Sequence, residues 1–192
     1  MNDKLERRMT ERAVELGAAG ARVIDADLLP VEDSIAELCR PPQCPAYGLS
    51  ANCPPHFMGP DEFRELLRGY ERALVFRLEA PMELLLSEER DHVTGLLQQM
   101  AASLERFAVS EGLPRARAFA GGCCKVLFCR EHEVCSVLAG GACRNPDSAR
   151  PSLSGLGVNF NRLNRSLGWE ASRTPDDGSE PLGMMAGMVL LY

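Results

Sequence analysis

The sequence predicts an α/β (or α+β) fold: a small mixed sheet containing a βαβ unit, with helices packed on it and two cysteine-rich loops. Three observations carry this expectation. Two apolar runs of strand length, residues 72–78 and 115–120, flank a long stripe at helical spacing. Eight cysteines fall in two tight groups, Cys39-Cys44-Cys53 and Cys123-Cys124-Cys129-Cys135-Cys143, about seventy residues apart. Six prolines between positions 41 and 60 forbid regular structure around the first group, because proline fixes φ and lacks an N–H. The chain has 192 residues, is 45% hydrophobic and 25% charged, and carries no repeat. That is enough for one hydrophobic core, so a single cysteine-rich metal-binding domain over residues 1–192 is expected.

The elements follow in order. Leu5, Met9, Ala13 and Leu16 recur at helical spacing and predict a helix over 4–18, stopped by Gly17 and Gly20. Residues 22–27 alternate as a strand, and a short helical turn from Pro30 to Leu38 delivers Cys39. Residues 40–60 form a stiff loop. A helix over 60–70 presents Phe63, Leu66, Leu67 and Tyr70 on one face, and 72–78 is a buried strand. Ser87 caps the longest helix, whose first turn is acidic and whose stripe is Val93, Leu96, Leu97, Met100, Leu104 and Phe107. Gly112-Leu113-Pro114 ends it, and 115–120 is the next strand. Strand, helix and strand make the βαβ unit, with the two strands parallel. A short helix over 159–167 follows, and 169–173 pairs with 184–192 as a hairpin. The group Met184, Met185 and Met188 reads as core strand, not as a copper site.

Composition narrows the function classes. The N-terminus is charged and lacks a signal peptide's apolar stretch. No apolar run nears the roughly 20 residues that span a bilayer. A cytoplasmic address without membrane attachment is therefore expected, and in a reducing compartment thiols bind metal more readily than they pair. Net charge is −6, but residues 115–165 carry eight Lys/Arg against three acids, leaving −11 on the remainder. These bases are not interleaved with aromatics, so no nucleic-acid partner is read from them. They serve better as counter-charge, since four thiolates around Zn²⁺ or an oxidised [4Fe–4S] core leave about −2.

The chemistry rests on the thiols. Cys39, Cys44 and Cys53 stand in a proline-rich loop, and Cys44 and Cys53 are each followed by proline. The second group runs Cys124-x4-Cys129-x5-Cys135-x7-Cys143, with Cys123 adjacent to its first member. Neighbouring side chains diverge, so one of Cys123 and Cys124 is expected to be a bystander, and Cys124 is taken as the ligand. The spacings are longer than the knuckles of structural zinc sites and match neither ferredoxin pattern. Thiolate ligation favours soft partners, so an iron–sulfur cluster leads and zinc is the alternative. The histidines inside the two groups, His56 and His132, are possible additional ligands. His132-Glu133 lacks a second histidine one turn on, which excludes a zinc-protease helix.

At these residues the chain resembles a cysteine-rich family of predicted metal-binding proteins, domain of unknown function 2284. The first block reads Cys39…Cys44-Pro45-Ala46-Tyr47-Gly48…Cys53-Pro54-Pro55. The second reads Gly122-Cys123-Cys124-Lys125…Cys129…Cys135…Cys143-Arg144-Asn145-Pro146, then Ala149-Arg150-Pro151-Ser152, Gly155 and Val158-Asn159. The likeness covers roughly residues 20–170. It departs from many members in its stretched second block and in Ala142, where proline often precedes the last cysteine. The resemblance implies a metal or iron–sulfur site and no particular reaction.

Three functions are thus expected in order. The first is an iron–sulfur protein with an electron-transfer or redox role, serving a redox or protein partner. Cys124, Cys129, Cys135 and Cys143 would close a [4Fe–4S] site, and Cys39, Cys44 and Cys53 would form a three-thiolate site, unless both groups interleave around one. The second is a structural zinc protein acting as an interaction module. The third is a thiol-exchange or metal-handling protein using Cys123 and Cys124, beside Lys125 and Arg130.

Overall fold

The computed structural model describes residues 3–169, 172–173 and 180–192. The first helical stripe forms α1 (Asp3–Glu15), with Met9 and Ala13 fully buried. Strand β1 (Gly20–Asp25) follows, and a 3-10 turn (Ala26–Leu28) takes over before the expected end of the strand. The turn that delivers Cys39 is α2 (Asp33–Glu37). After the proline-rich loop come α3 (Pro60–Leu67) and β2 (Arg72–Pro81). Helix α4 (Met82–Leu86) has no counterpart in the sequence reading. It leads into Ser87, whose hydroxyl accepts the Glu89 N–H at 3.1 Å just ahead of α5 (Arg90–Ser110). The remaining elements are β3 (Arg117–Ala120), α6 (Cys124–Phe128), a 3-10 turn (Ser154–Leu156), α7 (Phe160–Ser166), β4 (Ser172–Arg173) and β5 (Leu182–Leu191).

The sheet order is β1-β2-β5-β3, with β4 also pairing β5. The expected βαβ unit is β2, α5 and β3. Both strands run antiparallel to β5, and therefore parallel to each other. They are not neighbours, because β5 inserts between them and every strand ladder is antiparallel. The reason is compositional: Met188, Val189, Leu190 and Leu191 are all fully buried, so β5 needs cover on both faces and takes the interior position. A parallel contact is present as an isolated bridge between Ala120 and Ser152. The predicted hairpin is represented by Ser172–Arg173 paired with Gly183 and Leu182, whereas residues 170–171 and 174–179 lie outside the described residues.

Alternation along the strands builds two cores. Leu74, Phe76, Ala118, Ala120, Val189 and Leu191 face α1 and α5. Ala73, Val75, Phe119, Met188 and Leu190 face Phe63, Leu153, Leu156, Val158 and Leu163. Phe63 of α3 meets Phe119 edge-on at 5.6 Å between ring centroids. On α5, Leu97, Met100 and Leu104 are buried as the stripe predicts, but Leu96 is 59% exposed. Thr94 and Gln98, both almost fully buried, share the inward face with the apolar residues.

Two pairings outside the ladders carry the cysteine loops to the edge of this sheet. Ala120 donates to the Pro151 carbonyl at 3.1 Å and accepts from Leu153, so residues 151–153 extend the sheet past β3. Ser152 donates to the Asn52 carbonyl at 3.0 Å, which ties the first loop to the same segment. The two loops, far apart in sequence, meet at one end of the sheet.

Candidate metal centre

All eight cysteines are free thiols. Cys39, Cys53, Cys123 and Cys124 are buried, and Cys44, Cys129, Cys135 and Cys143 are half-buried. The second group starts where β3 ends. Gly121 and Gly122 turn the chain, Cys123 is still extended (φ −110°, ψ 113°), and Cys124 is the first residue of α6. Gly122 is required there twice over. Its φ of +86° is left-handed, and a Cβ would stand 2.3 Å from the Thr94 methyl of α5.

Helix α5 braces this turn from beneath. The Gln98 carboxamide donates to the Gly121 carbonyl at 3.0 Å and accepts the Arg150 N–H at 2.6 Å. The Arg150 guanidinium pairs with Glu105 at 2.6 Å and donates to the carbonyls of Pro146 and Ala149. Glu105 also accepts the Ala118 N–H, so one carboxylate fixes both β3 and the end of the cysteine loop. Across the other side, Gly155 packs on Pro54, where a Cβ would come within 2.7 Å of the ring. A side chain is thus excluded at position 155, where the segment after the second loop packs on the first.

The thiols are held by donors from both loops. The Cys124 sulfur lies 3.1 Å from the Ser50 hydroxyl and receives the Asn52 amide at 3.6 Å. Asn145 serves two others: its side-chain amide donates to Cys129 at 3.1 Å and its backbone N–H to Cys143 at 3.4 Å. Cys135 is stabilised as a thiolate by the backbone N–H groups of Ala51, Leu138 and Val137. Cys124 and Cys143 are within electrostatic reach of one another. In the first loop, Cys39 feels Cys44, and Cys53 feels Cys39. The Cys53 thiol is hydrogen-bonded to Cys123.

These surroundings divide the thiols electrostatically. Cys123 is drawn down to about 6, first by the hydrogen bond from Cys53; burial opposes this, and the N–H groups of Val126 and Lys125 with the Lys125 charge assist. Cys53, the donor in that bond and itself buried, is pushed well above the ordinary thiol range. Burial raises Cys39 to about 11, with Cys44 adding to it. Burial also raises Cys124, against the hydrogen bonds of Ser50 and Asn52. For Cys135 burial is outweighed by the backbone donors and Arg144, so its thiol lies below the ordinary range. The expected counter-charge is therefore real for Lys125 and Arg144, whereas Arg130 pairs with Asp91 and Arg150 with Glu105.

A family profile described as predicted metal-binding protein (DUF2284) matches residues 22–191. The chain belongs to this family. No curated protein and no solved structure matches the chain. The DUF2284 match runs from β1 to the end of β5 and takes in both cysteine loops, leaving only α1 outside. In this DUF2284 protein the predicted ligands assort by position: Cys124, Cys129, Cys135 and Cys143 receive donors from Ser50, Asn52, Asn145 and Ala51, while Cys39, Cys44 and Cys53 lie on the other loop. Among the described residues, no three His, Cys, Asp or Glu side chains stand close enough together to hold one metal ion. His56 is exposed, and His132 faces Glu131 at 3.5 Å. Among the described residues, no helix is long and apolar enough to cross a membrane.

Sequence reasoning missed Ser50, Asn52, Gln98 and Asn145. Gln98 did leave a signal, since a carboxamide within an apolar helical stripe needs a buried partner. Asn145 lies two residues beyond Cys143, close enough for its N–H to bond back to that sulfur. The pairing of Cys53 with Cys123 had no signal at all.

Proposed function

We propose that this DUF2284 protein holds an iron–sulfur cluster through cysteine thiolates and passes electrons to a redox partner in a reducing, cytoplasmic setting. Cys124, Cys129, Cys135 and Cys143 bind a [4Fe–4S] core, and Cys39, Cys44 and Cys53 belong to a second site. The partner is a protein, not a nucleic acid or a membrane. One observation carries the reading: each of the four second-loop sulfurs has an N–H or O–H donor directed at it, from Ser50 and Asn52, Asn145, or the Ala51 backbone. Donors of this kind stabilise thiolate ligands and tune the potential of a cluster.

All-thiolate ligation suits soft partners, and an iron–sulfur core is preferred here over zinc. When bound, it supplies one-electron chemistry. The residues of the chain do the rest: Gln98 and Arg150 hold the loop on α5, and Asn145 and Asn52 orient two of the sulfurs.

Anaerobic purification followed by iron, sulfide and zinc analysis tests this. Brown protein with matched iron and sulfide supports the reading. Colourless, iron-free protein carrying stoichiometric zinc overturns it in favour of a structural zinc module.

A further inference from the structure

An arginine withdrawn from solvent needs an acceptor, because its N–H donors lose water there. Among the described residues Arg12, Arg64, Arg72, Arg77 and Arg150 are half-buried or buried. Each meets a carboxylate: Glu15, Asp33, Asp25, Glu79 and Glu105 respectively. Arg117 departs from this pattern. It is half-buried at the start of β3, yet among the described residues neither a carboxylate nor a hydrogen-bond acceptor meets its guanidinium. Two rings hold it instead, with its Cζ 5.6 Å from the centroid of Phe57 and 5.6 Å from that of Phe119. Phe119 is fully buried and meets Phe63 edge-on, so this support is rigid. The Arg117 nitrogens are not sealed from solvent, and an incoming anion can reach them. The surroundings narrow what that anion is. Phe57 closes the first cysteine loop, and its N–H donates to the Cys53 carbonyl at 3.2 Å. From Cys39 to Pro60 the chain has no aspartate or glutamate, and Arg40 and His56 are its basic side chains. Leu49 of this loop is 45% exposed. Arginine, an aromatic ring and exposed leucine without acids is the composition of a protein-interface anchor.

We propose that Arg117 is the docking anchor for an aspartate or glutamate on the surface of the partner protein, and that this contact seats the partner against the first cysteine loop. This rests on the electron-transfer reading above and names the chemistry of its partner: an acidic protein. The partner's carboxylate forms a two-pronged bond with the guanidinium edge, while Phe57 and Phe119 keep the fork from turning away. Phe57 stands four positions after Cys53, so a partner held here lies beside a cysteine of the first loop. The chain as a whole carries −6 and repels an acidic protein. The lack of carboxylates in this loop makes one end attractive and gives docking a single orientation.

The test uses the full chain, purified anaerobically, with hexaglutamate as the probe in calorimetry at low salt. Wild type should bind it, and Arg117→Gln should weaken binding about tenfold, the loss of one charge-assisted contact. Arg117→Lys keeps the charge without the fork and should fall between the two. Arg7→Gln removes the same charge from α1, which packs on the opposite core, and should bind as wild type does. No binding by wild type, or equal affinity in Arg117→Gln and Arg7→Gln, overturns the proposal. Tighter binding of an oligothymidine strand than of hexaglutamate assigns the fork to nucleic-acid phosphate and overturns the protein occupant. A footprint on the wild type decides the matter if Arg117→Gln fails to fold. Phenylglyoxal should label Arg117, and hexaglutamate should slow that labelling. Labelling that is absent or not slowed overturns the anchor. Iron analysis of the same samples keeps the two readings apart: an iron-free chain that still binds hexaglutamate through Arg117 leaves the anchor standing and removes only the electron transfer.

Discussion

The Arg150 backbone N–H donates to the Gln98 side chain at 2.6 Å, and the same carboxamide donates onward to Gly121. A fully buried residue on the helix opposite the cysteines thus fastens both the beginning and the end of the second loop. Gln98→Leu keeps most of the volume and strands two backbone groups without partners. A loss of about 2–6 kcal/mol in stability is expected, since each of the two buried orphans costs about 1–3 kcal/mol. Denaturant titration of the metal-free chain measures it, and an unchanged midpoint would show that the loop is anchored otherwise.

Asn145 bridges two sulfurs through separate N–H groups. Asn145→Ala removes only the side-chain donor to Cys129 and spares the backbone bond to Cys143. Losing a donor makes the sulfur more electron-rich and disfavours the reduced cluster. The potential of the second-loop cluster should fall by an amount on the order of tens of millivolts, where 59 mV is tenfold for one electron. Redox titration followed by EPR reads this. A potential unchanged or raised would remove Asn145 from the set of tuning residues.

Gly122→Ala should weaken the protein through two separable effects. The left-handed φ costs a non-glycine residue about 1–3 kcal/mol. The clash with the Thr94 methyl adds to it. Thr94→Ser removes that methyl and keeps the hydroxyl that bonds to the Arg90 carbonyl. The double variant should therefore recover part of the loss and no more. Full recovery in thermal melts would mean that backbone strain contributes nothing.

The thiol pair Cys53–Cys123 gives the metal-free chain a distinctive pH response. The Cys123 pKa is depressed to about 6 from an ordinary value of 9.0. Its contribution to stability is present above 9.0 and is lost as the pH falls through about 6. Cys39 has the opposite sign: raised to about 11, its contribution holds below 9.0 and is lost as the pH rises through about 11. Stability of the reduced apo-protein should thus increase from about pH 6 toward 9 and decline beyond. Ultraviolet thiolate absorbance should show one early ionisation near pH 6. Cys53→Ala should move that ionisation upward, because the hydrogen bond from Cys53 is its largest cause. No movement would mean that the α6 amides alone hold the thiolate.

Much of the architecture was legible in local pattern. Met9 and Ala13 of α1, Leu97, Met100 and Leu104 of α5, and the position of Cys123 at the carboxyl end of β3 all follow from periodicity, which depends on backbone geometry within a few residues. Leu96 fits the same stripe and is exposed, because periodicity locates a face only approximately and the real inward face includes Thr94 and Gln98. The order of the strands was not legible. Nothing near residues 72–81 or 117–120 announces that β5, from the far end of the chain, lies between them; its burial on both sides decides it.

What the sequence by itself determined is the inventory and its punctuation: eight thiols in two groups, prolines that keep the first group irregular, and the blocks that mark a DUF2284 protein. Spacing along the chain could rank the thiols but could not sort them, since a ligand set is defined by distance in space. Only the folded chain decided that Cys123 and Cys124, one peptide bond apart, turn to different neighbours. The reason is physical. A strand ending at Ala120, a left-handed turn at Gly122 and a helix beginning at Cys124 rotate successive side chains apart, and the residues awaiting each sulfur come from a loop some seventy positions earlier.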